Sequence, residues 1–200
     1  MIRLVLLSVA LVSVVPAFAE IKQTYIQDFT EPATFTPFQL QDLELNPVTS
    51  DYFKSQWDWV FMGYTHCPDV CPTTLAIISN ALKIITTTEG DTHNTRVTFM
   101  SVDPARDHPE VLRQYIHYFH PDFKGIAGPI NTLQQMAADM NMTFYYGEPN
   151  SEGRYAVAHS SGIAIINPEG RVAALIKNPN DSERIAEIFM AWRKKKMLVD

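Results

Sequence analysis

The sequence predicts an α/β fold: a central mixed sheet flanked by helices, with an extra N-terminal strand pair. Three observations carry this. The run at 57–64 is apolar nearly throughout, as a strand covered on both faces should be. Helical periodicities at 73–88, 109–120 and 129–141 alternate with short apolar segments, the pattern of parallel strands joined by crossover helices. The segments 162–166 and 172–176 flank Asn167-Pro168-Glu169-Gly170, a turn sequence that closes an antiparallel hairpin.

Taken in order, residues 20–37 are polar, contain Pro32 and Pro37, and read as an extended lead-in. Phe38 to Asp42 alternates apolar and polar, a strand pattern broken by Asn46-Pro47. Residues 48–53 form a short strand and turn before the central strand 57–64. The helix over 73–88 carries Leu75, Ile78, Leu82 and Ile85 near helical spacing. The next core strand is 96–102. Asp107 is a candidate N-cap for helix 109–120, which points Val111, Leu112, Tyr115, Ile116 and Phe119 inward. Residues 126–128 are a short strand or turn. Helix 129–141 has Pro129 near its start and Leu133, Met136, Ala137 and Met140 on its inner face. Residues 142–146 and 155–157 pair across the loop 147–154. The hairpin follows, then a closing helix over 181–196. This order describes a thioredoxin-like sheet with an inserted helix, in one domain spanning 38–200.

Two hundred residues suffice for one such domain with a true core. Net charge is −6, and the one basic run, Lys194-Lys195-Lys196, closes a helix where positive charge suits the dipole; nucleic acid is excluded as a partner. Residues 1–19 read as an export signal. Arg3 supplies the positive charge, 4–15 the apolar stretch, and Ala17-Phe18-Ala19 the cleavage pattern before Glu20. Loss of Arg3 would take the charge from −6 to −7. Export to a bacterial periplasm follows, with an uncleaved N-terminal anchor in the inner membrane as the alternative.

Cys67 and Cys71 are the only cysteines, so this is not a disulfide scaffold. They lie between a strand and a helix, where the positive helix end favours thiolate. Their spacing puts both sulfurs on one face of a helical turn, able to chelate one ion or close a disulfide. Asp69 between them suits a turn role through its side chain. His66 adjoins Cys67 but is expected to point away. His117 and His120, i and i+3 on one helix, read as a solvated face. Asp103 and Arg106 are expected to pair within their loop. Met62, Met100, Met136, Met140, Met142 and Met190 are scattered over apolar faces and read as core.

The stretch Gly63-Tyr64-Thr65-His66-Cys67-Pro68-Asp69-Val70-Cys71-Pro72 resembles the signature of the Sco/SenC family of copper chaperones. Ser101-Val102-Asp103-Pro104-Ala105-Arg106-Asp107 resembles its second motif. His159-Ser160, the strand after it and Asn167-Pro168-Glu169-Gly170 resemble its third. The resemblance covers Phe38 to the C-terminus. It implies a thioredoxin-like fold with copper, as Cu(I) or Cu(II), bound by Cys67, Cys71 and His159. Soft thiolates suit Cu(I), and an imidazole suits Cu(II). It further implies a metallochaperone serving the CuA-carrying subunit of a respiratory cytochrome c oxidase by copper delivery or thiol reduction; a monomer that holds copper without bond-making catalysis is expected. Another periplasmic copper chaperone or a thiol reductase is a further partner it allows. The alternative function is a thiol-disulfide oxidoreductase in which Cys67 and Cys71 exchange with a client disulfide. The chain departs from the family at Ala158, where an acidic residue commonly precedes the histidine.

Overall fold

The computed structural model describes residues 23–90 and 95–198. The expected export segment 1–19 and its cleavage site lie outside the described residues. The elements run β1 (Tyr25–Ala33), β2 (Leu40–Asp42), β3 (Pro47–Val48), a 3-10 turn (Ser50–Phe53), β4 (Trp57–Gly63), α1 (Val70–Glu89), β5 (Thr95–Ser101), α2 (Pro109–Phe119), β6 (Lys124–Ala127), α3 (Ile130–Asp139), β7 (Phe144–Tyr146), β8 (Val157–His159), β9 (Ile163–Ile166), β10 (Val172–Lys177) and α4 (Ser182–Met197). Eight strands form one mixed sheet in the order β1-β10-β9-β4-β5-β6-β2-β3, and β7 and β8 form a separate two-stranded sheet.

The expected architecture is present. β4 is buried along nearly its whole length, and β5 and β6 follow it in parallel through the crossover helices α1 and α2. β9 and β10 form the antiparallel hairpin beside β4. The N-terminal strand pair is β2 and β3, attached to the far edge through β6. Trp57, Trp59 and Phe61 share one face of β4 because alternate side chains point the same way. Phe189 of α4 packs edge-on against Trp59, with ring centroids 4.8 Å apart. Helix α1 is long and apolar enough to cross a membrane by length and composition, yet Leu75, Ile78 and Ile85 are buried within this core. Met62, Met100, Met136, Met140 and Met142 are buried as expected, and Met190 packs against the core.

Three features differ from expectation. The polar stretch 20–37 contains strand β1, which pairs antiparallel with β10 along one sheet edge, with an irregularity between Asp28 and Ala33. Its mixed polar pattern is that of an edge strand with little covered surface. On α2, Leu112 and Ile116 are buried, but Val111 is exposed because it lies outside their stripe. Finally, α1 begins at Val70, so Cys71 belongs to its first turn rather than to the preceding loop. Pro72 is tolerated there because early helix N–H groups lack intrahelical partners anyway.

The topology dictates where chemistry can assemble. Gly63 at the end of β4 is in register with Ser101 at the end of β5. Phe61 pairs with Ile163 at the start of β9. The Cys67 turn, the loop after β5 and the segment entering β9 therefore meet at one sheet edge, the C-terminal edge of the parallel strands, where α/β sheets place ligands.

Candidate metal centre

The cysteine turn is built from its backbone. The Cys67 N–H donates to the Tyr64 carbonyl at 3.2 Å, and the Thr73 N–H to the Asp69 carbonyl at 3.2 Å. Asp69 occupies the N-cap position of α1, and its carboxylate accepts from the Thr73 hydroxyl at 3.5 Å rather than from a helix N–H. The carboxylate therefore caps none of the first helix N–H groups. The Cys71 N–H donates to the Cys67 sulfur at 3.3 Å, so this sulfur takes part of the capping role. Both cysteines are free thiols; Cys71 is buried and Cys67 half-buried. Gly63 makes room for them, since a Cβ there would lie 3.1 Å from the Cys71 sulfur and 2.8 Å from the Phe99 ring.

His159 ends β8, in register with Phe144 of β7. Its ring stands edge-on to Phe61 and Tyr64, with centroids 6.3 and 6.1 Å away. Nδ1 lies 3.0 Å from the Ser160 carbonyl. A carbonyl only accepts, so the hydrogen belongs on Nδ1 and the Nε2 lone pair is free. Nε2 lies 3.3 Å from the Cys71 sulfur. The two sulfurs and one ring nitrogen of His159 all fall within 4.8 Å of one another, a cluster able to hold a metal ion. A backbone carbonyl thus orients the ring without an acidic neighbour at position 158. Ala158 itself is exposed opposite Tyr145.

Burial sets the protonation states. It pushes the Cys71 thiol well up, with the hydrogen bond to Cys67 as the next cause. It lowers the His159 imidazole below its ordinary 6.5, partly offset by the Ser160 carbonyl. Expectation placed a thiolate at the helix mouth; at Cys71 desolvation outweighs that effect. The metal-free arrangement is therefore a neutral S–H facing a neutral imidazole. A bound cation reverses this balance, because ligation favours the thiolate and releases its proton.

The loop after β5 ties both halves together. The Asp107 carboxylate accepts from the Thr65 N–H at 3.1 and 3.2 Å, from the Thr65 hydroxyl at 2.6 Å and from the Ser101 hydroxyl at 2.7 Å. Burial raises its pKa, while these bonds to Thr65 and Ser101 oppose the rise. Asp107 was expected as the α2 N-cap; that position belongs to His108, because the carboxylate turns inward to fix the cysteine turn. Asp103 and Arg106 do pair within the loop. Asp103 also accepts from the Tyr155 hydroxyl at 2.8 Å.

Cys67, Cys71 and His159 thus come together from segments 88 residues apart. His66 is exposed, with Nδ1 3.1 Å from the Thr65 hydroxyl, and stands outside the cluster. His117 is exposed, and His120 stacks on Phe123. Gly63 and Asp107 are the site residues whose roles sequence reasoning missed. A glycine ending an apolar strand beside a cysteine turn was the available signal for the first. Asp107 gave none that separates a helix cap from a tertiary acceptor.

Comparison with known proteins finds similar sequences and similar folds. An SCO2-like protein of Rickettsia prowazekii is 32% identical over 159 residues, covering 76% of this chain and 74% of that protein. The copper-bound structure of Arabidopsis thaliana ScoI matches with a TM-score of 0.75 and 25% identity, covering 82% of this chain and 99% of that one. Copper-bound Bradyrhizobium japonicum ScoI matches with a TM-score of 0.67 and 31% identity, covering 78% and 96%. The sequence profile of the SCO1/SenC family matches residues 27–193, so three sequence motifs, the sheet that gathers them and this match agree that the chain belongs to the SCO1/SenC family.

Proposed function

We propose that this protein is a copper-binding metallochaperone in which Cys67, Cys71 and His159 hold the ion as cargo. The approach of His159 Nε2 to within 3.3 Å of the Cys71 sulfur carries the reading. Dithiol exchange needs no remote imidazole, whereas a soft ion held by two sulfurs gains a third donor from one. Zinc is the poorer fit, because structural zinc sites use four protein ligands and three such donors are gathered here. The copper-bound relatives support the choice of metal. The half-buried Cys67 gives a client access to one sulfur while Cys71 stays covered, which suits stepwise ligand exchange.

The family resemblance points to the CuA-carrying subunit of a cytochrome c oxidase as recipient, and the residue 1–19 pattern to export into a periplasm. A second reading, thiol-disulfide exchange, is favoured by the same asymmetry: Cys67 attacks and the buried Cys71 resolves, 3.3 Å from its backbone N–H to the Cys67 sulfur. Anaerobic titration of the reduced protein with Cu(I) and Cu(II) separates the two. Stoichiometric tight binding that Cys67→Ser and His159→Ala each weaken supports the first. Absence of binding, together with turnover of a disulfide substrate, supports the second.

A further inference from the structure

His159 does not sit on the main sheet. It ends a two-stranded sheet, β7 with β8, that is separate from the eight-stranded one. Phe144 and Val157 anchor this hairpin by burial, while residues 147–154 at its tip are exposed. The tip end is fastened by polar contacts to a single loop, that following β5. The Tyr155 hydroxyl donates to Asp103 at 2.8 Å, and Arg106 Nη1 donates to the Tyr155 carbonyl at 3.1 Å. The Arg106 guanidinium lies over the Tyr155 ring, 3.8 Å from its centroid, and pairs with Asp103. The Tyr146 hydroxyl donates to the Val102 carbonyl at 2.6 Å. The same loop, through Asp107, holds Thr65 beside Cys67.

One seven-residue stretch, 101–107, therefore grips the cysteine turn with one carboxylate and the histidine hairpin with another. The geometry points to Tyr155, clasped by Asp103 and Arg106, as a positioning residue for His159: a latch that sets how long the imidazole stays beside the two sulfurs. Opening the latch frees the Tyr155 end of β8 and leaves His159 held by its pairing with β7 and the burial of Val157 and Phe144, a weaker tether from which the imidazole can swing away while the cysteines remain held by Asp107. The site then passes from three donors to two without unfolding. Two thiolates still suit Cu(I), but Cu(II) loses the imidazole it favours. The latch thus discriminates between oxidation states of the cargo and offers a route for its release. This inference rests on the proposed copper-binding role, though its structural half does not.

Tyr155→Phe tests it, because the ring stays over the guanidinium and only the bond to Asp103 is lost. Loss of a hydrogen bond to a charged acceptor shifts an opening equilibrium by about tenfold or more. In the metal-free protein, hydrogen exchange of the Gly147 and Ser160 amides, which bond to Ala156 and Thr143 across the hairpin, is expected to quicken by about that factor. Amides of β4 and β9 should not change. In the copper-loaded protein, Cu(II) affinity should fall about tenfold with Cu(I) affinity kept within about threefold, and the Cu(II) spin-resonance spectrum should move toward that of His159→Ala. In a His159→Ala background, Tyr155→Phe should have no further effect on Cu(II). Unchanged exchange, an equal loss for both oxidation states, or additive effects with His159→Ala would each overturn the latch. If the wild type binds no copper, the proposed function fails, and the exchange measurement alone decides whether the latch exists.

Discussion

The Nε2 atom of His159 lies 3.3 Å from the sulfur of Cys71, although 88 residues separate them in the chain. The contact joins a helix N-terminus to a hairpin outside the main sheet, and the loop after β5 fastens both sides of it. Its chemistry is asymmetric. The ring's Nδ1 hydrogen is committed to the Ser160 carbonyl, so only Nε2 can serve as a donor atom.

That tautomer is the first prediction. In the metal-free protein, nitrogen NMR should show His159 protonated on Nδ1, with a midpoint below 6.5 because burial disfavours the imidazolium. Since the folded pKa is depressed, the unfolded chain takes up the proton first. The contribution of His159 to stability is full above 6.5 and is lost as pH falls through the folded value. A midpoint above 6.5, or an Nε2-protonated ring, would contradict the geometry.

Gly63→Ala should damage the centre without touching a donor atom. The added methyl would meet the Phe99 ring at 2.8 Å and the Cys71 sulfur at 3.1 Å. Overpacking of this kind costs about 1–3 kcal/mol, to be read by denaturant unfolding. Copper affinity should fall as well, since the sulfur must move. A variant with wild-type stability and affinity would show that the site has slack that these distances deny.

Asp107→Ala should loosen the cysteine turn rather than helix α2. Three donors from Thr65 and Ser101 converge on this carboxylate, so its removal leaves buried groups unpartnered, at a cost of about 1–3 kcal/mol. Thiol alkylation at Cys71 should quicken. If helicity falls with thiol reactivity unchanged, the carboxylate is a cap after all.

Asp58 supplies a pH test away from the site. It is fully buried in β4, 2.5 Å from Arg96 Nε and 3.0 Å from the Thr98 hydroxyl. Burial raises its pKa to about 6, with Arg96 as the largest opposing influence. Because the folded value exceeds the unfolded 3.8, its contribution to stability is full below 3.8 and is lost as pH rises through 6. Relative to Asp58→Asn, the wild type should gain up to ~3 kcal/mol between pH 7.5 and 4. A flat difference, or a relative loss on acidification, would show that the Arg96 pair dominates instead.

Much of this was legible in the sequence, for identifiable reasons. β4 announced itself by continuous apolarity, and α1 and α3 by their stripes, because burial there is dictated by pattern. The three motifs named Cys67, Cys71 and His159 by resemblance, and the sheet topology explains why they meet. β1 was hidden because an edge strand covers little surface and can stay polar; it is defined by pairing with β10, about 150 residues later. Val111 adjoins Leu112 in the sequence but lies off the α2 stripe, which buries Leu112 and Ile116 and packs Tyr115 and Phe119 against the core. Asp107 was misplaced because its partners, Thr65 and Ser101, are tertiary, and local capping rules cannot see them. The protonation of Cys71 was misjudged for a related reason: helix position is local, whereas burial is a property of the whole fold.

X-ray absorption at the copper edge of the loaded wild-type protein, repeated on His159→Ala, reads the donor set of the proposed site itself. Two sulfur scatterers and one imidazole are expected in the wild type, with the imidazole signal absent from the variant and both sulfurs retained. An imidazole signal that survives in His159→Ala, or a wild-type site without sulfur, would contradict it.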